Sequence, residues 1–229
     1  MSREFVSFAK TLSMMTRSAV QATVSETVAA QAKAELKKTA QVSWEEFKKK
    51  YLTREDSFKY EWVNGKVEKT KRTMDKSQLF IQLNLQAIFR DLLSKGMVHG
   101  DLFAEGDLFF LENHRRPDIA WLTIEQVYHL ADEQAYEVPA FVIEIVSNND
   151  AMVKMEKKMD DYRAAGVQVV WHVFPKMEKV HVYNGDRLRH ATICEADDIC
   201  SAAPVLPAFA FPASEIFRKT MPAVAGKDA

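Results

Sequence analysis

The sequence predicts a mixed α/β domain, and three observations predict it. The segment Ala140 to Val146 (AFVIEIV) is almost continuously apolar and β-branched, as in a strand covered on both faces. Two stretches, 76–95 and 150–165, carry apolar residues at helical spacing and each ends at a glycine, Gly96 or Gly166. Between and after them lie short apolar runs, so the expected order is helix, several strands, helix, strand.

Composition narrows the class of protein. The chain has 229 residues, 47% apolar and 28% charged, which is ordinary for a globular protein. Its 32 acidic and 31 basic residues leave a net charge of −1. A protein that coats nucleic acid through a general positive field is more basic than this. Any nucleic-acid partner must therefore be held by local patches. Two cysteines, Cys194 and Cys200, give neither metal-finger spacing nor a CxxC pair. The first residues lack the continuous apolar core of a signal peptide, because Lys10, Thr11, Ser13 and Thr16 interrupt it. No stretch reaches the ~20 apolar residues of a membrane span. These features point to a reduced, cytoplasmic compartment.

In chain order, residues 1–42 read as a helical arm. Phe5, Phe8, Leu12, Met15, Ala19 and Ala22 alternate three- and four-residue steps, the spacing of a coiled-coil seam. Such a seam serves a homo-oligomer or packs on its own domain. A compact domain spans 43–217, and 218–229 form a flexible tail. Ser43 and Glu46 make a capping box. Phe58–Val63 and Lys66–Thr70 read as a hairpin turning on Asn64-Gly65. Asp75 caps the helix over 76–95, and Leu79, Leu83, Ile88, Leu92 and Leu93 are its expected buried stripe. Strands are expected over Val98–Ala104, Leu108–Leu111 and Asp118–Leu122, and a short helix opens at Thr123. After the 140–146 strand, Asp150 caps the second long helix. Val167–Val173 and Val180–Tyr183 then read as strands.

Glu144 is the sharpest anomaly, a carboxylate inside an apolar strand. Burying it is costly unless it is paired or bound to a metal. Asp118 begins another apolar strand behind Pro117, whose missing N–H suits a first strand position. Two acids at the ends of neighbouring strands can converge on one point, and Mg²⁺ lets both stay ionised. A structural ion pair is the competing account of Glu144.

These residues resemble the PD-(D/E)xK signature of restriction-endonuclease-like nucleases. The segments Tyr60–Val67 (YEWVNGKV), Arg116–Ala120 (RPDIA), Phe141–Ser147 (FVIEIVS), Lys158–Val167 (KMDDYRAAGV) and Val170–Val173 (VWHV) resemble, in order, the Uma-type restriction endonuclease family. The resemblance spans Ser43 to Tyr183 and leaves the arm outside. It implies a restriction-endonuclease-like mixed sheet flanked by helices, with the arm as an N-terminal helical extension. It also implies a metal-dependent endonuclease acting on DNA. Asp118, Glu144 and the Ile145 carbonyl would hold Mg²⁺ or Mn²⁺, and Glu61 matches an upstream glutamate that can complete the shell. Glu61 reads equally as an exposed hairpin acid.

One position departs from the signature. Val146 stands where the motif has lysine, and the family pattern places a lysine on the following helix, at Lys158. At about 100° per residue, Met152, Met155, Met159 and Tyr162 share one helix face. Lys158 lies roughly 80° from its centre and Lys157 roughly opposite, so Lys158 can reach the sheet edge while Lys157 is solvated. Tyr162 faces the site or packs. Basic residues gather at Lys66, Lys69, Lys71 and Arg72, at Arg115 and Arg116, and at Lys154, Lys157 and Arg163. Around one cleft they would hold a phosphate backbone; otherwise each is solvated surface. His114 and His172 lack helical metal-ligand spacing. The displaced lysine leaves open a non-cleaving nucleic-acid-binding module, and the arm at Phe5–Ala22 leaves open an oligomeric structural module whose acidic pair is a buried ion-pair site.

Overall fold

Ser43 opens the fold: its hydroxyl accepts the Glu46 amide at 3.2 Å and caps α1 (Trp44–Phe47), which continues as a wider π turn over Lys48–Leu52. The Glu46 carboxylate pairs with Lys50 at 2.5 Å. The computed structural model describes residues 41–71, 76–110, 112–132, 135–146 and 151–220. The seam at Phe5–Ala22, the caps Asp75 and Asp150, and the tail beyond residue 220 lie outside the described residues.

The hairpin forms as the Asn-Gly pair predicts. β1 (Phe58–Val63) and β2 (Lys66–Lys71) pair antiparallel, and Asn64 and Gly65 take φ of 49° and 73°. Positive φ at both central residues is the type I′ requirement that matches strand twist. β4 (Leu108–Phe110) and β5 (Asn113–Arg115) join them in a sheet of order β2-β1-β5-β4.

The larger sheet has six strands in the order β10-β9-β8-β7-β6-β3. These are β3 (Asp101–Ala104), β6 (Ile119–Leu122), β7 (Phe141–Ile145), β8 (Val169–Phe174), β9 (Lys179–Asn184) and β10 (His190–Glu195). Only β7 and β8 are parallel in this sheet, because α4 (Ala151–Ala165) provides the crossover between them. Every residue of β7 is buried, as its unbroken apolar run requires. A short helix, α3 (Ile124–His129), is closed by a full capping box between Thr123 and Gln126.

Each face of this sheet has its own core. One packs against α2 (Lys76–Ser94), the β11–β12 hairpin (Ile199–Ala202 and Leu206–Pro212) and α5 (Ala213–Phe217). The other packs Ala120, Val142 and Val170 under Met159 and Tyr162 of α4.

The stripe expected on α2 holds at Ile88 and Leu92, which pack half-buried against the core, and is corrected elsewhere. The helix buries Ile81, Leu85 and Phe89, whereas Leu79, Leu83 and Leu93 are 55%, 60% and 41% exposed. Asn84 sets the rotation: its amide donates to the carbonyls of Ile216 and Arg218 at 2.9 and 2.7 Å. A buried amide must satisfy its donors, so it turns inward and carries Ile81 and Leu85 with it. No described helix is long and apolar enough to cross a membrane.

Candidate active site

Three residues, Arg116-Pro117-Asp118, carry the chain from β5 of the smaller sheet to β6 of the larger one. The β6–β7 register pairs Ile119 with Ile143 and Ala120 with Val142. Continued by one step, it sets Asp118 opposite Glu144, on the face covered by α4. The two sequence-predicted carboxylates thus meet at the joint between the sheets.

Each Asp118 oxygen has a partner. Oδ2 accepts the Ile145 main-chain N–H at 2.7 Å, and Oδ1 lies 2.9 Å from Lys59 Nζ. Glu144 Oε1 accepts from Tyr162 Oη at 2.6 Å and from Lys158 Nζ at 3.0 Å. Lys158 also lies 3.2 Å from Glu61 Oε1. Helical phase therefore separates the two lysines as expected: the Lys158 side chain is 12% exposed and that of Lys157 49%.

Glu61, on β1, is buried rather than an exposed hairpin acid. Its Oε1 accepts the Arg116 N–H at 2.8 Å, and its Oε2 faces Arg115 Nη1 at 3.3 Å. Arg115 is fully buried and also binds Glu68 at 2.9 Å and Asp161 through Nε at 2.8 Å. Lys157 closes the outer edge on Glu68. Five carboxylates (Asp118, Glu144, Glu61, Glu68, Asp161) meet four cations (Lys59, Lys158, Arg115, Lys157), which leaves one uncompensated negative charge when all are ionised.

That charge is felt unequally. Burial pushes the Glu61 carboxyl up, but Lys158, Lys59 and Arg115 outweigh it and hold it at about 2. Glu144 goes the other way: burial raises it, Lys158 opposes, and the neighbouring Asp118 charge raises it further. Burial would lower the Lys158 ammonium, yet Glu144 and Glu61 hold it above the usual lysine range.

The donor set suits a hard divalent cation. Glu144 is a buried acid whose ionisation Asp118 opposes, and a cation between two carboxylates removes that repulsion. Among the described residues no three His, Cys, Asp or Glu side chains form a metal-holding group. A cation here would rest on Asp118, Glu144, main-chain oxygen and water, a coordination that Mg²⁺ accepts.

Sequence reasoning missed several neighbours. Lys59 shares a β1 face with Glu61, two residues away, and that lysine-x-glutamate spacing was the available signal. Arg115, expected either to hold a phosphate backbone or to be solvated surface, is instead buried among Glu61, Glu68 and Asp161. Tyr162 does both things considered for it, packing in the core and donating to Glu144. His172 is paired in register with Glu144 across β7 and β8, buried, with Nε2 lacking a hydrogen-bond partner among the described residues. Burial, with His181 and Lys158 nearby, lowers it to about 4.

Comparison with known proteins agrees with this architecture. No curated protein matches the sequence. A crystal structure from Anabaena variabilis, described as a "putative nuclease belonging to DUF820", matches with a TM-score of 0.63 at 18% identity, covering 77% of this chain and 97% of the other. At that identity the match speaks to the fold, mixed α/β sheets flanked by helices. Residues 44–214 match the Uma2 family model, described as "Putative restriction endonuclease". With that match covering most of its length, the chain belongs to the Uma2 family.

Proposed function

We propose that this chain is a divalent-metal-dependent endonuclease that hydrolyses phosphodiester bonds in DNA. The observation that carries the reading is the convergence of Asp118, Glu144, Glu61 and Lys158 at one buried joint, in a chain of the Uma2 family.

Asp118 and Glu144, with the Ile145 carbonyl, would hold Mg²⁺ or Mn²⁺. When bound, such a cation polarises the scissile phosphate and lowers the pKa of an attacking water. The chain's own residues supply the setting. The Ile145 N–H fixes one Asp118 oxygen, so the carboxylate presents a constant face. Tyr162 and Lys158 together hold Glu144 through a single oxygen, Oε1. Lys158 keeps its proton because two carboxylates flank it, and it offers fixed positive charge where the phosphorane becomes more negative. Both Glu61 oxygens already accept donors, so in this reading Glu61 chiefly positions Lys158.

Plasmid and single-stranded DNA incubated with Mg²⁺ or Mn²⁺ test the reading. The wild-type chain is expected to cleave, and Asp118→Ala and Glu144→Ala to lose at least about a hundredfold in rate. Cleavage that survives in both variants sinks the site assignment.

Val146 and the double engagement of Lys158 favour a second reading, a module that binds nucleic acid without cutting it. Retention of labelled DNA by a chain that never cleaves it, with either metal, selects that reading.

A further inference from the structure

Lys59 stands on the metal-facing acid of this site, and nothing in the nuclease motif accounts for it. Its ammonium lies 2.9 Å from Asp118 Oδ1, and its side chain is only 10% exposed. It is contributed by β1, in the smaller sheet, while Asp118 leads into the larger one. Its charge helps hold Glu61 low and opposes the rise at Glu144, so it belongs to the same electrostatic cluster.

The two buried lysines are held differently. Lys158 is flanked by Glu61 at 3.2 Å and Glu144 at 3.0 Å, and leaving would take the ammonium from two buried carboxylates at once. Lys59 has Asp118 as its ion-pair partner, and the Asp118 side chain is 24% exposed. A divalent cation binding Asp118 competes with that ammonium, because both are positive and both need the same carboxylate. Val146, meanwhile, places an apolar side chain where the motif has its lysine.

We propose that Lys59 is a resident counter-ion of Asp118, displaced from the carboxylate when a divalent cation binds and then turned toward a phosphate oxygen of the substrate. The inference rests on the metal-dependent reading above. It divides the work of the missing motif lysine: Lys158 fixes Glu144 and supplies steady charge, and Lys59 exchanges one anionic partner for another. The exchange keeps the ammonium paired before and after, so no bare charge is left buried.

This arrangement makes two observables move in opposite directions. Mn²⁺ is titrated calorimetrically, without nucleic acid, into the full-length chain and into Lys59→Met and Lys59→Arg. Plasmid cleavage is then measured for each at saturating Mn²⁺, with thermal melts as a check on folding. Lys59→Met is expected to bind Mn²⁺ about tenfold tighter, because the competing cation is gone. Its cleavage is expected to fall about a hundredfold, because the phosphate loses a cation. Lys59→Arg, which keeps the charge, is expected to bind Mn²⁺ as the wild type does and to retain more activity than Lys59→Met. A merely structural lysine would weaken binding and cleavage together. Equal or weaker Mn²⁺ binding by folded Lys59→Met overturns the counter-ion role, and wild-type cleavage by it overturns the phosphate-facing role. A wild-type chain that binds no Mn²⁺ overturns the metal-dependent reading itself, and this inference with it.

Discussion

Tyr162 and Lys158, one helical turn apart on α4, donate to the same oxygen of Glu144. A carboxylate with two donors on one oxygen has its rotation fixed, and the helix becomes the ruler that sets it. The pair also explains why Glu144 is tolerated in a strand that is otherwise wholly apolar. Tyr162→Phe removes one donor without changing the packing volume much. It is expected to cost about 1–2 kcal/mol in chemical denaturation and to slow cleavage about tenfold by loosening the acid. An unchanged denaturation midpoint would show that the hydroxyl does not hold Glu144.

Arg115 is fully buried and spans three acids on three elements, Glu61 on β1, Glu68 on β2 and Asp161 on α4. Replacing it with Met strands those acids together. A loss of about 3–5 kcal/mol is expected, the cost of breaking a buried pair from one side, read as a lower urea midpoint. A shift below about 1 kcal/mol, as for an exposed pair, would mean that water reaches the cluster.

The adjacent lysines of α4 give a matched control. Lys157→Met removes a half-exposed pair with Glu68 and should change stability by no more than about 1 kcal/mol, with cleavage near the wild-type rate. Lys158→Met should abolish cleavage. Equal effects of the two substitutions would contradict the helical phase on which Lys158 was selected.

Acid should destabilise the fold in two windows. His172 is near 6.5 when unfolded and about 4 when folded, so the unfolded chain binds the proton first. Its contribution is complete above pH 6.5 and is lost as pH falls toward 4, on the order of 3 kcal/mol in all. Glu61 is held at about 2 against 4.5 unfolded, and its contribution is lost below pH 4.5. In His172→Phe, the fall in stability between pH 7 and pH 4.5 should be clearly shallower than in the wild type. A slope as steep as that of the wild type would assign the upper window to another group.

The parts of the site legible in sequence were those with a strong local pattern. Glu144 stood out because every neighbour in Phe141–Ile145 is apolar, and Lys158 because helical phase separates it from Lys157. Asn64-Gly65 announced its turn through the positive φ that both residues tolerate. Other features are set by tertiary contacts and leave no such trace. β5 reads as polar, Asn113-His114-Arg115, yet all three residues are buried because their partners arrive from the β1–β2 turn, α4 and the loop at Asp107. The face of α2 was misassigned at Leu79, Leu83 and Leu93 for a related reason. Its apolar residues surround the helix, and the choice among them falls to Asn84, whose acceptors lie more than a hundred residues away. β10 is exposed at all but one position and lacks the alternation that marks a half-buried strand.

The crossing at Arg116-Pro117-Asp118 has a mechanical meaning. Asp118 and Glu144 ride on the larger sheet, while Lys59 and Glu61 ride on the smaller one, so neither sheet carries a complete site. Prising the hairpin away would strip Asp118 of its Lys59 contact and Lys158 of its Glu61 contact. If the proposed nuclease reading holds, cleavage doubles as a gauge of sheet docking. Anything that wedges the sheets apart should silence the site before it unfolds the chain.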